Sequence, residues 1–410
     1  MKRLIFPIVL FSILILAEIG SYFAIRTFFL DQKSQLKWFN WIWFGSTVLI
    51  YAFVFGSRMM QSNFAKNLLV NIFFLILIAK LVVALTFFIT SIIQLIKGLF
   101  VAKSAVSGVA TDFSRRQFAG KIALGFAALP LGTMTYGMIK TAYNFKIHRP
   151  KIKFSNLPKA FHGLKIVQIS DIHTGSLQGN HQLQKAFDLI KVEKPDVIFF
   201  TGDIVNNRTD EAFPYIPILS QLSAPLGVYS ILGNHDYGDY HQWESQEEKA
   251  HNMKQMHDLH QKLGWKLLLN EHVVLEKDGE KIGVVGIENW GANLNFKKYG
   301  KFTEAKKGSE HLPFKILLSH DPSHYSSEIK DQHPDIDLTL SGHTHGFQFG
   351  IEIPGFKWSP SQYIYPQWAG LYPNGNQYLY VNRGLGCLGY MGRVGIRPEI
   401  TVIELQSALV

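Results

Sequence analysis

Ser341-Gly342-His343-Thr344-His345-Gly346 closes an apolar run, DIDLTL, that ends at Leu340. Such a run reads as a buried strand, which places His343 and His345 on the loop at its carboxyl end. Two histidines two residues apart face one site only if the chain turns between them. Gly342 and Gly346 are residue types that permit such a turn. Alone, the pair is a suggestion whose weight depends on partners upstream.

Those partners recur at the ends of other apolar runs. FKILLSH (314–320) ends in His320, with Asp321-Pro322 forcing a turn. GVYSIL (227–232) ends in Gly233-Asn234-His235-Asp236, where Asn234 offers a neutral carbonyl oxygen and His235 a donor. DVIFF (196–200) delivers Thr201-Gly202-Asp203, and LKIVQIS (164–170) runs into Asp171-Ile172-His173. The helical spacing of HQLQKAFDLIKVEKP (181–195) between the last two strands predicts a βαβ unit with parallel neighbours. Five strand ends, each with a polar motif, point together to a metal centre. A mixed set of carboxylate and imidazole suits a borderline-soft divalent ion.

Between and beyond these motifs the sequence is less specific. EHVVLEKDGEKIGVVGIE (271–288) predicts a hairpin around Asp278-Gly279. Residues 240–263 read as a polar helix with His257 and His260 facing solvent. Residues 289–310 are either a loop at the rim of the site or a surface insertion. Arg383 follows the strand QYLYV (377–381), and its fork of donors could reach a phosphate. The Tyr and Trp residues of 351–380 read mainly as packing, with a few facing lipid or acyl chains.

The 410-residue chain carries a formal net charge of +10, unevenly set. Residues 1–140 are mostly apolar with scattered Lys and Arg and read as a membrane domain of about four spans, near 4–25, 38–56, 68–96 and 122–139. The basic excess beside them reads as flanking charge, not as a nucleic-acid footprint. Glu18 and Lys80 are costly inside spans and read as structural. Residues 141–163 form a linker and domain entry, and 164–410 the catalytic domain. Ser114-Arg115-Arg116-Gln117-Phe118 resembles a twin-arginine export signal. Loop charges nearly balance across the membrane, and the export-like signal favours an extracytoplasmic catalytic domain. The expected location is the bacterial inner membrane. Cys387 is the single cysteine, so no intrachain disulfide forms. Oligomeric state is not legible.

The ordered set DIH, GD, GNHD, SH and GHTH resembles the calcineurin-like metallophosphoesterases, in their membrane-associated bacterial branch, over roughly 162–405. The resemblance implies a four-layer α/β/β/α sandwich and two divalent ions. It implies Asp171, His173 and His345 at one ion, Asn234, His320 and His343 at the other, and Asp203 between them. Imidazole-rich ligation favours Mn, Fe or Zn. His235 then serves as a catalytic group, with Asp236 helping to orient the site. Many members of the branch have GHTHGGQ, whereas this chain has Phe347 in place of a small residue.

The implied activity is hydrolysis of a phosphoester or pyrophosphate. An anchored site samples lipid headgroups, which favours a lipid-linked substrate. A small soluble phosphodiester or phosphomonoester is the alternative, and a non-enzymatic membrane scaffold or sensor the third reading. The complete ligand set weighs against the scaffold, and the lack of a clear basic, aromatic groove weighs against nucleic acid.

Overall fold

The computed structural model describes every residue except 1, 31, 58–63, 101–107 and 293–295. The chain divides into two compact units, Met1–Gly137 and Met138–Val410.

The first unit is helical: α1 (Lys2–Arg26), α2 (Lys33–Gly56), α3 (Phe64–Phe100) and α4 (Gly108–Ile139, with Pro130 inside). Helices thus occupy all four expected segments. Among the described residues, two stretches are long and apolar enough to cross a membrane, Ala65–Ile96 and Gln117–Tyr143. The two costly charges find each other: Lys80 Nζ lies 2.7 Å from Glu18 Oε1. Thr47 donates to the same carboxylate at 3.2 Å, and Lys80 stands 4.6 Å over the Trp43 ring. Each charge offsets part of the other's desolvation cost, which supports a structural role for the pair.

The second unit is built on two large sheets. One contains β1 (Lys146–His148), β2 (Lys151–Phe154), β3 (Lys165–Ile169), β4 (Val197–Phe200), β5 (Val228–Ser230), β6 (Lys266–Leu267) and β15 (Glu399–Ser407). Its order is β1-β15-β3-β4-β5-β6, with β2 also paired to β15. The other contains β7 (Glu271–Lys277), β8 (Glu280–Gly286), β9 (Lys315–Leu318), β10 (Leu338–Ser341), β13 (Gly370–Asn374) and β14 (Gln377–Val381), in the order β13-β14-β10-β9-β8-β7. The pair β11 (Ile351–Ile353) and β12 (Phe356–Trp358) forms a separate antiparallel ribbon.

Alternation along the strands builds the layers, because successive side chains leave a strand on opposite faces. Ile166, Val197, Phe199, Ile316, Leu318, Leu338 and Leu340 share the core between the two sheets. Their neighbours Val167, Ile169, Ile198 and Phe200 face away, into a second core. That core is completed by α5 (Asn180–Glu193), α6 (Ile216–Leu219) and α7 (Gln246–Leu263). On the far side Val285, Leu317 and Leu379 pack with Phe302, Tyr325 and Ile329. The result is the expected α/β/β/α order. Strands buried on both faces read as unbroken apolar runs, which is why VIFF and KILL carry no polar alternation.

Pro214 and Pro217 remove backbone donors, so the chain here forms a 3-10 stretch (Thr209–Tyr215) followed by the short α6. One local expectation needs correction. His260 is fully buried, not solvent-facing: its Nδ1 bonds Met256 O at 3.0 Å, and its ring packs against Trp265. His257 is exposed as expected.

Candidate metal centre

Strands β3, β4 and β5 are mutually parallel, and so are β9 and β10, so each set releases its motif at the same edge of its sheet. The motifs from the two sheets then meet. His173 Nε2 lies 3.0 Å from His345 Nε2, and His345 Nε2 lies 3.2 Å from Asp171 Oδ1. A second cluster joins Asp203, His320 and His343: His320 Nε2 stands 3.1 Å from Asp203 Oδ2 and 3.3 Å from His343 Nδ1. Asp203 Oδ2 also lies 3.7 Å from His173 Nε2, so this carboxylate faces both clusters. Each cluster, Asp171-His173-His345 and Asp203-His320-His343, has its donor atoms close enough to hold one ion.

The donor chemistry fits a metal. Two imidazole nitrogens about 2.1 Å from one ion stand roughly 3–3.5 Å apart, which matches both histidine pairs. The tautomers fit as well. His173 Nδ1 bonds Val205 O (3.1 Å) and His320 Nδ1 bonds Thr201 O (2.6 Å). A carbonyl only accepts, so Nδ1 carries a proton in each ring, which makes Nε2 the nitrogen that faces the cluster. In His343, Nε2 meets Tyr365 Oη at 2.8 Å and leaves Nδ1 toward His320. Asn234 Nδ2 donates to Tyr240 Oη at 2.9 Å, while Asn234 Oδ1 is buried with no hydrogen-bond partner. An orphaned carbonyl oxygen beside Asp203 is what a neutral metal ligand looks like.

Electrostatics point the same way. Burial works to raise the Asp171 and Asp203 carboxyls, but His345 beside the first and His320 beside the second outweigh it and hold both well below the usual range. In return, burial would lower His320, but Asp203 overrides it and raises the ring to about 10. Burial dominates at His173 and lowers it to about 3. The cluster thus draws positive charge to itself while keeping a neutral imidazole beside it.

The backbone here is strained. Asp171, His173, Asp203, His343 and His345 all have left-handed φ, between 49° and 71°. Such conformations cost of order 1–3 kcal/mol each in non-glycine residues and gather at functional sites. The turn in the 341–346 loop is therefore made partly by the histidines themselves. Gly342, expected to supply flexibility, supplies room instead: a Cβ there would stand 2.0 Å from Ser170 Oγ and 2.3 Å from Asp171 Oδ2.

His235 sits half-buried at the mouth. Its Nδ1 donates to Asn206 O at 2.6 Å, and its ring lies 5.1 Å from that of His173. Asp236 points the other way. Fully buried, it accepts from the backbone N–H groups of Asp203, Ile204, Val205 and Gly233 at 2.8–3.3 Å. Burial and then Asp203 raise it to about 7. It therefore pins the Asp203 and Asn234 loops to each other and acts as a positioning residue.

Arg383 differs from expectation. It is 3% exposed, with Nη1 donating to Glu399 Oε2 at 2.5 Å and Nη2 to Glu352 Oε1 at 3.3 Å. Its fork is already engaged by two carboxylates and is not free for a phosphate. The arginine that the sequence reading missed is Arg393, fully buried, which donates to the carbonyls of Arg383, Gly384 and Gly386. It braces the turn whose Gly386 N–H bonds Asp171 O at 2.8 Å. Phe296 was missed too: its ring packs edge-on to His343 at 5.1 Å, which brings Phe296 to the rim of the site.

Residues 164–347 match the family model for calcineurin-like phosphoesterase. The chain is 33% identical over 304 residues to the metallophosphoesterase YkuE of Bacillus subtilis (strain 168), covering 72% of this chain and 98% of that protein. The chain is a calcineurin-like metallophosphoesterase. As a metallophosphoesterase it is an enzyme of phosphoester hydrolysis, and its fold places two candidate metal-binding groups side by side. Residues 2–142 match a second model, the probable calcineurin-like phosphoesterase transmembrane domain, which makes the metallophosphoesterase a membrane protein. The chain is 32% identical over 282 residues to the transmembrane protein with metallophosphoesterase domain of Danio rerio, covering 67% of this chain and 60% of that protein. It is 29% identical over 285 residues to the UDP-2,3-diacylglucosamine pyrophosphatase LpxG of Chlamydia muridarum, covering 56% of this chain and 81% of that protein.

Proposed function

We propose that this metallophosphoesterase hydrolyses a phosphoester or pyrophosphate bond in a lipid-linked substrate at a centre for two divalent ions, Mn, Fe or Zn. Asp171, His173 and His345 would hold one ion, and Asn234, His320 and His343 the other, with Asp203 between. The observation that carries this is Asp203 Oδ2, 3.1 Å from His320 Nε2 and 3.7 Å from His173 Nε2. Two such ions supply an activated water nucleophile and polarise the phosphoryl oxygens.

The chain's own residues do the rest. The backbone hydrogen bonds of His173 and His320 fix their tautomers and aim Nε2 inward. Asp236 holds the Asp203 and Asn234 loops in register. Asn206 O holds the His235 ring by Nδ1, so Nε2 is the nitrogen that gives a proton to the leaving oxygen. The lipid-linked substrate is supported by the membrane unit and by likeness to a pyrophosphatase whose named substrate carries two acyl chains. We assign the enzyme to the bacterial inner membrane as a multi-pass protein, with the catalytic unit extracytoplasmic as the Arg115-Arg116 signal suggests.

Turnover should fall to background after chelation and return with Mn, Fe or Zn, and much less with Ca. With metal restored, a long-chain lipid pyrophosphate in mixed micelles should exceed its short-chain soluble analogue in kcat/KM by at least tenfold. Equal or reversed preference would remove the lipid-linked assignment and leave the soluble phosphoester reading.

A further inference from the structure

The ribbon β11–β12 is turned inside out for a water-facing surface. Its register pairs Ile351 with Trp358, Glu352 with Lys357 and Ile353 with Phe356. Side chains alternate faces along a strand, so the two charges share one face and the apolar residues the other. Glu352 is turned to the protein, and Lys357, although exposed, bends its ammonium back to it. Glu352 lies 3.0 Å from Lys146 Nζ and 3.3 Å from Arg383 Nη2. Lys357 Nζ donates to Ala369 O at 2.6 Å and to Tyr372 Oη at 3.2 Å. The outward face holds Ile351, Ile353 and Phe356, each about half exposed.

The apolar surface continues from the ribbon to the metal centre. Phe347 is 50% exposed, and Phe349, Tyr363 and Ile364 are also exposed. Phe347 holds φ 56°, a conformation a glycine takes without strain, so a bulky apolar side chain is kept in water on a strained backbone. The patch is tied to the site: Ser359 Oγ donates to Gly346 O at 2.7 Å, and Tyr365 bonds His343. Contiguous apolar surface of this kind marks an interaction face.

We infer that the 347–364 face is an interfacial membrane anchor, which sets its apolar side chains among the lipid headgroups and acyl chain tops beside the metal centre. Two features favour lipid over another occupant. Chain connectivity keeps a bilayer within reach: the candidate span Gln117–Tyr143 runs almost directly into β1 at Lys146. The face also has the chemistry of an interfacial layer, with Phe and Ile at the tip, and Trp358 and Tyr363 at the margin, their polar atoms 3.5 Å apart. This inference concerns docking and stands apart from the lipid-linked substrate reading.

The test uses the full-length enzyme in lipid nanodiscs with a nitroxide at Ile353→Cys. Cys387 is the sole native cysteine and is buried, so labelling is specific. A control label goes at Asp188→Cys on α5, which is exposed. The label at 353 should be several-fold more accessible to oxygen than to a water-soluble nickel chelate, and the control should show the reverse. Equal nickel access at both positions overturns the anchor. Loss of nickel access that appears only with rising protein density, with spin–spin broadening, assigns the face to a second copy and also overturns it. The triple variant Ile351→Ser/Ile353→Ser/Phe356→Ser should keep turnover of a soluble diester within twofold and lose at least tenfold on a long-chain phosphoester in vesicles. An immersed label with undiminished vesicle turnover retains the anchor and shows that turnover of the long-chain substrate does not depend on it.

Discussion

Asp203→Asn is expected to empty both metal positions and bring turnover to background. The carboxylate is the group shared by the two clusters. Oδ2 faces His320 and His173, and Oδ1 accepts the His235 backbone N–H at 2.9 Å. Asparagine keeps the shape but removes the charge and replaces one acceptor by a donor aimed at imidazole lone pairs. Loss of a group that merely orients a ligand costs roughly 10–100-fold in metal affinity, and loss of a shared ligand should exceed that. The backbone is not at issue, because asparagine tolerates the left-handed φ of 61° better than most residues. A folded Asp203→Asn protein should therefore contain little metal by elemental analysis after dialysis. Full retention of either ion would reject the shared role.

The second large effect belongs to His235. His235→Asn should keep both ions, because none of the cluster distances involves its ring, yet lose roughly 10²–10⁴-fold in kcat, the usual span for a general acid or base. The size of the loss should depend on the leaving group. With a nitrophenolate, which departs without a proton, the loss should be small. With an alkoxide it should be large. An equal loss across leaving groups would reduce His235 to binding or charge stabilisation, and no loss would remove it from the mechanism.

Much of this site was legible because each piece of chemistry follows an apolar strand. Burial on both faces makes β4 (VIFF) and most of β9 (KILL) apolar runs, and even the alternating β10 (LTLS) is fully buried, so the polar motifs after these strands stand at the sheet edge. What could not be read lies in the backbone and in long-range contacts. The carbonyls of Thr201, Val205 and Asn206 set three histidine tautomers, and a carbonyl has no signature in sequence. The left-handed φ of five polar site residues is equally silent, because glycine, not histidine, is the residue type that announces it. Arg383 misled for a related reason. A fork of donors after a strand looks available until Glu399, 16 residues on, and Glu352 are seen to close around it. In the sequence Tyr365 reads as packing, and only the fold brings its hydroxyl to His343.

Asp236 marks the boundary between the two kinds of reading. Its motif places it next to His235, and the resemblance implies that it helps to orient the site. Four backbone donors converge on it, which makes it the element that keeps β4 and β5 delivering their loops to one point. Burial and Asp203 push its carboxyl up, and the buried N–H donors work against that rise.

The most direct test is anomalous diffraction from crystals of the full-length enzyme, collected across the Mn, Fe and Zn absorption edges. The account predicts two peaks, one enclosed by Asp171, His173 and His345 and one by Asn234, His320 and His343, with Asp203 touching both. A single peak, or two peaks of which only one touches Asp203, would contradict it.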